Sequence, residues 1–71
     1  MRTYSYITKA MQRSIRDIET TGFQMSRIIP TNPMAGIRAK EFHADFIRQT
    51  RRGLLAFHVL IDTDGNINTN S

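Results

Sequence analysis

The sequence contains no cysteine and no tryptophan, and only two prolines and four glycines among its 71 residues. Without cysteine there is no disulfide and no thiolate zinc site. A domain this short buries only about 60% of the surface its unfolded chain exposes, so an unstapled core leaves a thin stability margin. The missing support is expected from a partner, most simply a second copy of the chain in a homodimer. Small secreted domains are usually dense in disulfides, so the lack of cysteine points to the cytoplasm. Long apolar runs are missing too. Residues 1–6 carry none of the apolar stretch that a secretory signal needs. The longest apolar run, residues 54–61, is broken by His58 and falls far short of the roughly 20 residues that span a bilayer.

Catalytic patterns are equally scarce. There is no nucleophile elbow, zinc-protease helix motif, phosphate loop or glycine-rich dinucleotide turn. Ser5, Ser14 and Ser26 have no base marked out beside them. Glu41, His43 and Asp45 are two apart on what reads as a helix, so they diverge rather than converge on one metal ion. His58 reads as a hydrogen-bonded core residue. Asp62, Asp64 and Asn66 match the first oxygen positions of a calcium loop, but Ile67 stands where that loop needs glycine, and the sequence stops short of the bidentate glutamate. Asp64 followed by Gly65 reads instead as a hairpin turn. No enzyme activity, cofactor, metal or small-molecule substrate is expected.

What the sequence does have is positive charge. Ten Lys and Arg against six Asp and Glu give a formal charge of +4, which favours polyanionic partners. All but Lys9 and Lys40 of the cations are arginine, the side chain suited to bidentate grip on phosphate or carboxylate.

Hydrophobic spacing gives the expected architecture. Tyr4, Ile7, Met11, Ile15 and Ile18 recur at steps of three and four, predicting a helix over 4–20 with Gly22 as its stop. Residues 23–29 alternate, with Phe23, Met25, Arg27 and Ile29 on one side, predicting a strand at a sheet edge. Asn32 and Pro33 suit the start of a second helix over 33–52, with Ala35, Ala39, Phe42 and Phe46 on its apolar stripe, broadened by Ile37, Ala44 and Ile47. Residues 54–61 are apolar on both faces and read as a central strand covered on both sides, and 67–70 as a short returning strand. The whole predicts one α+β domain in αβαβ(β) order: two helices on a two- or three-stranded mixed sheet containing one right-handed βαβ unit.

On that architecture two cationic clusters stand out. Lys9, Arg13 and Arg16 share one side of the first helix, extended by Arg2. Asp17, four residues after Arg13, partly neutralises that stripe in the ordinary manner of a solvated helix face. Arg48, Arg51 and Arg52 gather at the end of the second helix, where cations also simply oppose the helix dipole, with Asp45 within reach of Arg48. The aromatics mostly fall on core stripes, leaving only Tyr4 and Tyr6 to stack on bases, and no helix-turn-helix or RNP signature is present, so backbone contact is expected rather than base readout. The leading expectation is a small nucleic-acid-associated accessory or regulatory protein gripping phosphates. The alternative is an interaction module or inhibitor docking on an acidic protein through the same arginines and the edge formed by Phe23, Met25 and Arg27. Such a minimal chain suits a phage or plasmid gene.

Overall fold

The computed structural model describes residues 7–69, and the side chain of Ile37 lies outside the description. The expectations placed on Arg2, Tyr4, Tyr6 and the first turn of the first helix therefore lie outside the described residues.

The first described element is α1 (Lys9–Glu19), followed by β1 (Gln24–Pro30), a short 3-10 turn (Gly36–Arg38), β2 (Glu41–Thr50), β3 (Gly53–Asp62) and β4 (Ile67–Asn68). The strands form one antiparallel sheet in sequence order, β1-β2-β3-β4. Strand accounts for 47% and helix for 21%, so the expected pair of helices on a small mixed sheet is wrong, and the described residues hold no βαβ unit.

The second helix fails for a reason visible in its own residues. Phe42, Ala44 and Phe46 are all fully buried, whereas on a helix residues two apart diverge by about 200°. A strand puts them on one face, opposite Ile61, Val59 and Phe57 of β3. The helical stripe drawn through Ala35, Ala39, Phe42 and Phe46 needed broadening by Ala44 and Ile47 because the true period from residue 41 onward is two. Pro33 and Gly36 form turns, with Gly36 at φ +57°, rather than a first helical turn.

The 23–29 strand is found one residue later, at the sheet edge, but its simple alternation is not. A bulge between Met25 and Arg27 inserts one residue, which flips every side chain beyond it. Ile28 becomes buried, and Arg27 and Ile29 turn to the opposite face.

One face of the sheet is covered by α1. Met11 and Ile15 pack into a core with Ile28, Ala39, Phe42, Ala44, Phe46, Val59 and Ile61. Thr8 caps the helix, its hydroxyl accepting from the Met11 backbone N–H at 3.1 Å and donating to the Thr63 carbonyl at 2.7 Å. Ser14 Oγ donates to the Gly65 carbonyl. These bonds hold the helix start to the β3–β4 turn. Among the described residues no helix is long and apolar enough to cross a membrane.

Candidate polyanion-binding surface

The first cationic cluster sits on the expected helix and the second on a strand and a turn instead of a helix end, and the fold still leads one toward the other. Lys9, Arg13 and Arg16 are all exposed on the outer side of α1, whose inner side is set by Met11 and Ile15. Because α1 starts at the β3–β4 turn, its length carries it toward the β2–β3 end of the sheet. There it finishes at Gly22, and a Cβ placed on Gly22 would lie 3.4 Å from the Arg48 guanidinium carbon. Arg48 also stands over the Phe23 ring, 5.9 Å from its centroid, a distance at which a cation is drawn to an aromatic face. The helix stripe thus ends where Arg48 begins.

Arg51 and Arg52 are not in a last helical turn. They form the two-residue turn joining β2 to β3, and both are exposed. Among the described residues no non-glycine takes a positive φ; Gly53 supplies it, at +132°. Thr50 fastens the turn, its hydroxyl donating to the Gly53 carbonyl at 2.8 Å and accepting from the Arg52 N–H at 3.2 Å. The dipole explanation for these arginines therefore falls away, since there is no helix end beneath them.

Acidic neighbours are few. Asp45 pairs with Arg27 at 3.2 Å rather than with Arg48, and no other ion pair is found among the described residues. Asp17 and Glu19 remain on the last turns of α1, and Glu19 Oε2 accepts from the Met25 backbone N–H at 3.3 Å.

The residues expected at the β1 edge turn out to be engaged. The Phe23 ring meets Phe57 edge-on at 4.8 Å, Met25 packs against the core, and Arg27 is held by Asp45. Glu41, His43 and Asp45 do share a face, because β2 is a strand, and there His43 lies 6.1 Å from His58, ring to ring. His58 is exposed rather than buried in the core. No group of three or more metal-binding side chains occurs among the described residues. In the 62–66 turn the Asp62 carboxylate accepts from the Asp64 and Asn66 N–H groups at 2.9 Å each, and from Asn66 Nδ2. These bonds, the Asn66 N–H first, hold its carboxyl below the usual aspartate range against a partial opposing effect of burial.

One surface was missed altogether. Residues 53–58 of β3 are exposed, Leu54 at 57%, Leu55 at 51% and Phe57 at 37%, although an all-apolar strand reads as covered on both sides. The signal that was available lies in the period-two pattern of residues 41–50. It makes the segment before Gly53 a strand, which leaves a single helix to cover a single face. Comparison with known proteins finds no matching family model, no matching curated protein and no matching solved structure.

Proposed function

We propose that this protein is a cytoplasmic, nucleic-acid-associated accessory protein that binds phosphate backbones through Lys9, Arg13, Arg16, Arg48, Arg51 and Arg52. The observation that supports it is the seating of Arg48 against Gly22, which joins the helix stripe to the arginine turn at one end of the molecule. Guanidinium groups so arranged suit successive phosphates. The role is binding rather than catalysis.

A salt series with double- and single-stranded DNA and RNA tests it. Phosphate binding predicts a linear fall of log K with log salt. Replacing Arg51 and Arg52 together, or Arg13 and Arg16 together, by alanine should lower that slope by about two. No binding at low salt would sink this reading and leave an acidic protein partner, which the exposed Leu54 and Leu55 beside Arg51 and Arg52 favour.

A further inference from the structure

The two edges of the sheet are built differently. The β1 edge carries a bulge, the charged Arg27 and Pro30, three devices that discourage another strand from adding. On the opposite edge, β4 pairs only with Leu60 and Ile61. Residues 53–59 of β3 have no strand beyond them among the described residues, and they contain no charged residue, no proline and no bulge. Such an edge is a template for a further strand.

The direction of its free groups follows from the ladder. The Asp62 N–H donates to the Asn66 carbonyl, so Asp62 directs its backbone groups away from β2. Alternation along an antiparallel strand gives Ala56, Leu54 and His58 the same direction. The free N–H and C=O groups are therefore spaced symmetrically about Ala56.

We propose that two copies of the chain pair through this edge, β3 against β3 in antiparallel fashion about a two-fold axis at Ala56, giving one continuous sheet six strands across. Ala56 then faces Ala56 of the second copy, and Leu54 faces His58, with about six backbone hydrogen bonds across the axis. On the helix side, Leu55 of each copy faces Phe57 of the other, and the two exposed apolar pairs cover one another. The ends are complementary in charge. Arg51 and Arg52 precede the free segment, Asp62 and Asp64 follow it, and an antiparallel pair lays each basic end beside the other copy's acidic one. An axis perpendicular to the sheet also keeps both α1 helices on the same side.

The lack of cysteine makes the test direct. Introduced by Ala56→Cys, the two thiols would stand across the axis at a Cα separation of about 5.5 Å, within disulfide reach. Mild oxidation of the full chain should yield a covalent dimer, whereas Ser26→Cys on the β1 edge should not. By analytical ultracentrifugation the native chain should be dimeric at micromolar concentration. Ala56→Pro should be monomeric with its circular dichroism retained, because the N–H it removes points away from β2. Leu55→Lys, a second route to the same result, should also yield the monomer. A native monomer at every concentration overturns the proposal, including the case where the amides of Leu54, Ala56 and His58 resist exchange because the chain's own terminal residues cover them. A dimer cross-linked by Ser26→Cys and not by Ala56→Cys overturns it as well. Loss of nucleic-acid binding would leave these outcomes unchanged, so the two proposals fail separately.

Discussion

Gly65 shows how much one residue of this small chain can carry. Its φ is +86°, and a Cβ added there would lie 2.6 Å from the Ala10 carbonyl oxygen and 2.9 Å from Ser14 Oγ. Gly65→Ala therefore combines backbone strain with a collision against helix backbone, and should destabilise the fold by about 2–4 kcal/mol. Gly36, at φ +57° with nothing within 4 Å of an added Cβ, isolates the strain, and Gly36→Ala should cost about 1–2 kcal/mol. Urea unfolding of the two variants measures the difference. Asp62, in the same turn, gives a pH signature. Its carboxyl is held below the ordinary value by hydrogen bonds from Asn66, Asp64 and Gly65, so the unfolded chain takes up its proton first as pH falls. Its stabilising contribution is complete above about pH 4 and fades at lower pH as the folded-state value is crossed. The gap in unfolding midpoint between the native chain and Asp62→Ala should accordingly be constant from neutral pH down to about 4 and narrow below it. This turn was legible in the sequence, because Asp and Gly at adjacent positions state a local backbone requirement.

At the scale of elements, legibility depended on whether the deciding contact was local. The α1 stripe was read correctly from Met11, Ile15 and Ile18. Of the described residues in that stripe's range, Ile7 and Thr8 precede the helix, with Thr8 as its cap. Thr8→Ala should cost about 1 kcal/mol for the lost cap, and somewhat more because the bond to Thr63 goes with it; thermal unfolding with far-ultraviolet circular dichroism would register both. Residues 33–52 were misread because alanine, isoleucine and phenylalanine fit either period, and the choice between them was made by partners in β3, remote from a local window. Phe46, fully buried and stacked on Phe57 at 5.4 Å, is central to that choice. Phe46→Ala should cost about 3–5 kcal/mol, enough to leave much of a marginal domain unfolded and visible as loss of amide dispersion in NMR spectra.

For the whole molecule, the decisive fact is one α-helix against four strands among the described residues. A single helix covers a single face, so an apolar strand that reads as central is left half exposed, and the basic clusters move from two helices to a helix and a turn. Charge and size were plain from composition, but which sheet edge lay open was not, since that depends on β4 being only two residues long. If two copies share the edge, stability is a property of the pair. The thermal midpoint should then rise with protein concentration, and should stop doing so in Ala56→Pro. Calorimetry over a hundredfold range of concentration would show it.

The bonds from Thr8 to Thr63 and from Ser14 to Gly65 span 55 and 51 residues of sequence. Each strand, by contrast, pairs with its immediate successor. During synthesis β1, β2 and β3 can zip together as they emerge, each closing a short loop. The helix is made before the strands, yet its N-terminal anchor is made only after β3. Until residues 63–65 leave the ribosome, Met11 and Ile15 have a sheet to rest on but nothing to fix the helix start. The order of translation thus makes α1 available before β1, β2 and β3 and locked only after them.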